Sequence, residues 1–267
     1  MDSIKLDEEL LELEGIESYR KDWEVYSYNN TAVPRVSHIL KQCEDQEGLI
    51  QWASNVGRKK YDYYRTRAME IGTIVHGVID DYLCNHLGDP NYKIPYNNFY
   101  QFQIDYEIPI DTAFGNFLLW KSIVEEGGGK LEEVVGVEIP VTCPWFGGTI
   151  DAIFKINGHY YIIDFKSSKQ ISMSYLLQTS AYMWCVNNGY APGLPHIDGI
   201  GIIRVDKNKT NCLDDLFLNM NNPVEANYIT QYTNCFLSYV ESYYRSKSCN
   251  YIYDQYYKEY NAICYKR

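Results

Sequence analysis

Residues 148–166, GTIDAIFKINGHYYIIDFK, decide the fold. A first strand carries Asp151, a tight turn falls at Asn157–Gly158, and a second strand ends in Asp164-Phe165-Lys166. Side chains two apart on an extended segment share a face, so Asp164 and Lys166 point the same way beyond Tyr161-Ile162-Ile163. The turn folds Asp151 back towards them. Two carboxylates and an ammonium at the end of a buried hairpin suit a divalent metal beside a phosphodiester. Oxygen ligands hold Mg²⁺ or Mn²⁺, and a lysine can steer or deprotonate an attacking water. Taken alone, the same residues also fit a surface hairpin with an ordinary ion pair.

Working outward, Glu133 to Pro140 alternates as a strand, and residues 143–148 turn into the hairpin. After it, a helix is expected from about Ser174 to Val186, with Gln178 and Tyr182 on one face, and then a strand over 197–205 in the same sheet. Upstream, Ile71, Val75, Val78, Ile79 and Leu83 give a helical stripe from about Ala68 to Leu87, with Gly72, His76 and Asp80 on one face. Residues 113–126 read as a helix stopped by Gly127-Gly128-Gly129, and 88–111, rich in Pro, Asn and Tyr, as a long loop or substrate-contacting insertion. A small hairpin is expected around Asn29–Asn30, a helix start with Ser37 as N-cap, a helix through Trp52, and a short acidic helix or ordered tail over 3–20. The last long helix is expected from about Pro223 to Arg245. Its stripe of Tyr228, Tyr232, Phe236, Tyr239 and Tyr243 reads as core packing rather than a base-stacking platform. Three segments follow: residues 1–32 (acidic segment and hairpin), a core over 33–210 with its 88–111 insertion, and an aromatic-rich helical extension over 211–267.

Composition narrows the functional classes. The 267 residues hold 24 basic and 35 acidic side chains, a net charge of −11, which argues against a broad basic surface coating nucleic acid. A local basic strip can still hold a backbone, and residues 58–67 supply one: Arg58, Lys59, Lys60, Arg65 and Arg67 against Asp62, with Tyr61, Tyr63 and Tyr64 interleaved. A solvated helix face fits this patch equally well. Lys169, Arg204 and Lys207 offer a second path. The eight cysteines form no CxxC pair, so a zinc knuckle is not expected, and reduced thiols are the better reading. No run approaches a membrane span, and the acidic N-terminus is the opposite of a secretory signal. The expected location is therefore intracellular and cytoplasmic, the host cytoplasm if the chain is viral, with no membrane partner.

The chemistry-bearing groups are His76 on a helix, Glu138 on a strand, Asp151, the Asp164/Lys166 pair, and Gln178 with Tyr182 on the following helix. Asp151 and Asp164 are the expected metal carboxylates. His76 can add a nitrogen ligand, which Mn²⁺ tolerates better than Mg²⁺. Each has a plainer explanation: a hydrogen-bonded histidine, a strand-edge acid, ordinary helix residues.

In order, Gly72-Thr73-Ile74-Val75-His76, Glu138, Gly148-Thr149-Ile150-Asp151, Asp164-Phe165-Lys166 and Gln178-Thr179-Ser180-Ala181-Tyr182 resemble the motif set of the PD-(D/E)XK nucleases. The likeness is greatest to the branch holding the RecB nuclease domain, the CRISPR adaptation exonucleases (Cas4) and the phage and mitochondrial genome-maintenance exonucleases. It covers about residues 33–205, including Val33-Pro34-Arg35-Val36-Ser37-His38-Ile39-Leu40. The resemblance implies an α/β fold with a central mixed sheet flanked by helices. It implies His76, Asp151 and Asp164 as metal ligands with the Phe165 carbonyl, Lys166 as the catalytic lysine, and Glu138 near the metal. Gln178 and Tyr182 would support the site and meet the substrate backbone. The proline–aspartate pair of the first motif is replaced here by Ile150-Asp151. Some relatives hold an iron–sulfur cluster through four cysteines; Cys235, Cys249 and Cys264 are too widely spaced, so none is expected. The implied function is a Mg²⁺- or Mn²⁺-dependent exonuclease acting on DNA ends, single-stranded or resected, in replication, recombination or repair. A helicase, recombinase or single-strand-binding protein would be a separate partner. A structure-specific endonuclease on the same fold and an inactive binding or assembly module are the alternatives.

Overall fold

The computed structural model describes residues 5–21, 26–43 and 47–264. In chain order they form α1 (Ile16–Arg20), β1 (Tyr26–Tyr28), β2 (Thr31–Val33), α2 (Val36–Cys43), α3 (Glu47–Val56), α4 (Arg58–Asn85), α5 (Glu107–Glu126), β3 (Leu131–Thr142), β4 (Gly147–Ile156), β5 (His159–Lys166), α6 (Met173–Cys185), β6 (Gly199–Val205), β7 (Leu213–Asn219) and α7 (Pro223–Cys264). The β4–β5 hairpin turns where expected. Asn157 and Gly158 both have positive φ (50° and 81°), the conformation in which a two-residue turn matches the twist of its strands.

Strands β3 to β7 form one sheet in sequence order. Every neighbouring pair is antiparallel except β5 and β6, which run parallel and are joined through α6. The result is a mixed sheet flanked by helices. Along β5 the side chains alternate between two cores: Ile163 and Phe165 join α4 and α5 on one face, while Ile162 joins α2, α6 and α7 on the other. Strand β6 is buried along its whole length, as a strand covered on both faces must be. The acidic N-terminal segment is anchored by Leu10 and Ile16, which lie in the same core as α7.

The structure revises several boundaries. Helix α4 is continuous from Arg58 to Asn85, so the basic stretch and the His76 stripe share one rod. Ser37 lies inside α2, which begins at Val36, and so is not its N-cap. Strand β7 falls within the segment read as a helical extension. Its Asp214-Asp215 interrupts the apolar alternation because both acids serve as acceptors, Asp214 for Arg204 and Asp215 for the Trp120 indole N–H, while Leu213 and Phe217 pack into one core and Leu216 and Leu218 into the other. Helix α7 runs well past Arg245. Its stripe packs as expected at Phe236 and Tyr243, which are buried, but not at Tyr228, which is exposed. The 88–111 segment is not a free insertion: Tyr92, Ile94, Tyr96, Phe99 and Phe102 pack against the α4–α5 core, and α5 already begins at Glu107.

Candidate metal centre

The C-terminal end of β5 lies between α4 on one face and α6 on the other, and the candidate side chains meet there. Asp151 on β4 is pinned by the Phe165 backbone N–H, which donates to its Oδ2 at 2.8 Å. The same oxygen lies 3.5 Å from His76 Nδ1. Glu138 sits between the pairs Val137↔Ala152 and Ile139↔Ile150, opposite Asp151 in register. Its φ of 48° lies in the left-handed region, an unusual conformation for glutamate and of the kind that clusters at functional positions. One potential ligand atom from each of His76, Glu138 and Asp151 lies within 4.8 Å of the others, a group able to hold a divalent cation.

Asp164 stands just outside that trio. Its Oδ1 accepts from Lys166 Nζ at 2.6 Å and from Gln178 Nε2 at 3.2 Å. Its Oδ2 is buried with no hydrogen-bond partner. A buried carboxylate oxygen left without a donor is costly, and a cation is the partner that removes the cost. Gln178 also reaches the Tyr182 hydroxyl at 3.5 Å. The buried Tyr182 ring lies against Gly148, where any side chain would overlap it, which explains the glycine before Thr149. Ser172 caps α6 by accepting from the Ser174 N–H, which sets where Gln178 and Tyr182 emerge.

The electrostatics describe a site holding excess negative charge. Burial pushes the Asp151 and Asp164 carboxyls up, against the pull of Lys166. Burial and the charge of Asp151 push Glu138 up. Burial alone would pull Lys166 down, but Asp164 and Asp151 outweigh it, so the lysine is held as an ammonium. Burial, with the charge of Lys166, pulls His76 down to about 4, which leaves its imidazole neutral and able to ligate.

Asp80 lies on the His76 face of α4, and no role follows for it from the sequence alone. The structure brings it into the cluster, hydrogen-bonded to Glu138, with Oδ1 buried and unpartnered. Burial and the charges of Glu138 and Asp151 push its carboxyl up to about 8. The signal was present: Asp80 follows His76 by one helical turn.

Two openings flank His76. One, of about 550 Å³, is lined by Thr73, Gly77, Asp80 and Glu138. The other, of about 680 Å³, runs from Lys166 under α3. The expected basic strip divides between the second opening and the outer surface. Arg65 lines the second opening. Arg58 pairs with Asp62 at 3.8 Å, with both side chains exposed, and Lys59 and Lys60 are exposed at the start of α4, roughly 25 Å from His76 by helical rise. Arg67 faces away, 3.5 Å from the Asp105 carboxylate and over the Tyr106 ring, where it holds the 88–106 segment. Lys169 is exposed in the loop after β5. Arg204 is buried in ion pairs with Asp214 and Asp206 and cannot meet a substrate.

No family model matches the chain, and no curated protein matches it. Among solved structures, one described as "Crystal structure of SSO0001" shares 13% identity with a TM-score of 0.25, over 50% of this chain and 63% of that one. A likeness that low carries no argument. No helix among the described residues is long and apolar enough to cross a membrane.

Proposed function

We propose that this protein is a metal-dependent deoxyribonuclease with a PD-(D/E)XK-type core that hydrolyses phosphodiester bonds at DNA ends. The observation that carries the reading is the convergence of Asp151, Asp164 and Lys166 at the ends of the β4–β5 hairpin, with His76 facing them from α4 and the buried Asp164 Oδ2 lacking a donor. Asp151, Asp164 and His76, with the Phe165 carbonyl, would hold Mg²⁺ or Mn²⁺, and Glu138 and Asp80 border the same space. The bound ion supplies Lewis-acid neutralisation of the phosphate and a water of lowered pKa.

This chain's own groups do the rest. The Phe165 N–H fixes the Asp151 carboxylate. Gln178 and Lys166 fix that of Asp164. Lys166 is retained as an ammonium, so its role is to orient water and stabilise charge on the pentacoordinate phosphate rather than to act as a free base. Gln178 and Tyr182 position these groups from α6. The substrate ends would be supplied by a separate helicase, recombinase or single-strand-binding partner in replication, recombination or repair.

The test uses linear and circular DNA, single- and double-stranded, labelled at either end, with Mg²⁺, Mn²⁺ or EDTA. Metal-dependent shortening of linear strands with circles left intact is the expected result. Cutting of circles would make the protein an endonuclease on the same fold. No cleavage of any substrate would leave a binding or assembly module.

A further inference from the structure

Helix α3 buries none of its residues, yet it carries Leu49, Ile50 and Trp52. Trp52 is 40% exposed and Tyr64, on α4, 50% exposed. The Trp52 ring lies 5.5 Å from Tyr61 and 6.3 Å from Tyr64, tilted to both, so the three rings form an aromatic wall rather than a closed stack. That wall lines the 680 Å³ opening, whose inner end is Lys166 and His76. Lys41, Arg65 and Lys207 line it as well, and no carboxylate does among its described lining residues. In a chain of net charge −11, a groove whose charged lining residues are all lysine or arginine, set among aromatic rings, is the local exception. The opposite opening presents the carboxyls of Asp80 and Glu138 and offers an anion no lysine or arginine.

Ring spacing and charge sort the possible occupants. A phosphate backbone meets the cations, whose attraction is independent of sequence. Base faces meet the rings, and a base offers its face to a protein side chain only where it is unstacked from its neighbours, as in an unpaired strand. A volume of this size suits a small number of flat groups rather than the side of a duplex. Arg65 precedes His76 by roughly three helical turns on nearly the same face, so one strand can touch Arg65 and reach the metal cluster along α4. Lys207 lines the same groove, and burial and the charge of Arg67 pull its ammonium down against the pull of Asp206.

We infer that the groove between α3 and α4 is a stacking channel for an unpaired DNA strand, with Trp52, Tyr61 and Tyr64 holding bases and Lys41, Arg65 and Lys207 holding phosphates on the way to Lys166. This rests on the nuclease reading and deepens it, because it names single-stranded ends as the substrate.

The experiment measures anisotropy of a labelled oligodeoxynucleotide, an abasic strand of the same length and the corresponding duplex, each with the full chain in EDTA. The wild-type protein is expected to prefer the base-bearing strand. W52A/Y64A should weaken that strand by roughly 5- to 100-fold and leave the abasic strand unchanged, since stacking is lost and the phosphates are not. W52F/Y64F should retain most of the affinity, and circular dichroism controls for folding. Equal wild-type affinity for abasic and base-bearing strands, or a W52A/Y64A protein that binds like wild type, overturns the channel. If the wild type cuts no DNA with Mg²⁺ or Mn²⁺ but shows the base-dependent binding, the channel stands and the nuclease reading falls. If it cuts DNA with no base-dependent binding, the reading stands and the channel falls.

Discussion

Two groups of charges lie side by side at the same end of the sheet, for Lys166 on β5 is the register partner of Arg204 on β6. Around Arg204 each charged side chain has hydrogen-bond partners. Its guanidinium donates to Asp214 at 2.7 Å, to Asp206 at 3.3 Å and to the Ser168 carbonyl. Burial works against both Arg204 and Asp206, but their hydrogen bonds prevail, and both are held in their charged forms. Around Lys166 the reverse holds. One ammonium faces Asp151 and Asp164, with Glu138 and Asp80 alongside, and two carboxylate oxygens are buried without donors. A network that closes on itself is a device for stability. One that leaves acids raised and oxygens bare is able to take up a cation.

The largest expected difference between the two groups is in catalysis. Lys166→Ala and Asp164→Asn should each lower cleavage of an end-labelled strand by at least about a hundredfold, the scale of removing one preorganised charge from such a site. Folded Arg204→Ala should cut at close to the wild-type rate. If it were as inactive as Lys166→Ala, the two groups would be one functional unit and the contrast would be lost. Manganese calorimetry separates the two active-site variants, with Asp164→Asn losing the metal and Lys166→Ala largely keeping it.

The second difference is in stability. Arg204→Ala leaves two acids facing each other and should cost about 2–4 kcal/mol in urea unfolding. That lies somewhat below the roughly 3–5 kcal/mol for breaking a fully buried pair, because Asp214 is largely exposed. Asp80→Asn should instead raise the melting temperature of metal-free protein at pH 8, since it removes a repelling carboxylate from the cluster.

The sign with pH follows. A carboxyl raised from 3.8 to about 8 keeps its proton in the folded state while the unfolded chain has lost it, so stability falls as pH rises towards 8. His76, lowered from 6.5 to about 4, acts in the other direction, and only below about 6.5. Between pH 6.5 and 8 the metal-free melting temperature should therefore drop, less steeply in Asp80→Asn, and saturating Mn²⁺ should flatten the slope. A metal-free slope unchanged by Asp80→Asn would remove Asp80 from the cluster's energetics.

The smallest effect distinguishes two arginines that sequence alone made equivalent. Arg65→Ala should raise the Kd for single-stranded DNA and reduce the salt dependence of log K by about one unit of slope. Arg67→Ala should leave that slope alone and speed hydrogen exchange in residues 88–106, where its carboxylate and ring partners lie. Equal slopes for the two variants would return the groove to an ordinary solvated face.

The sequence by itself determined the hairpin, the mixed sheet's central strands and the helices carrying His76 and Gln178, because each rests on a period of two or of 3.6 and on a local turn signal. It also determined that Asp164 and Lys166 share a face, which follows from the pleat. Strand β7 escaped it, since an edge strand with Asp214-Asp215 in its middle shows no clean alternation. Only the tertiary structure decided which acids meet. Asp80 and Glu138 are far apart in the chain and converge because α4 crosses the sheet above β3 and β4. Likewise, nothing local separates Lys166, among acids with buried oxygens that lack donors, from Arg204, whose acids are hydrogen-bonded, or Arg65 from Arg67 two residues away. Those distinctions depend on which element is packed opposite, and such long-range partners are set by the fold as a whole rather than by spacing along the chain.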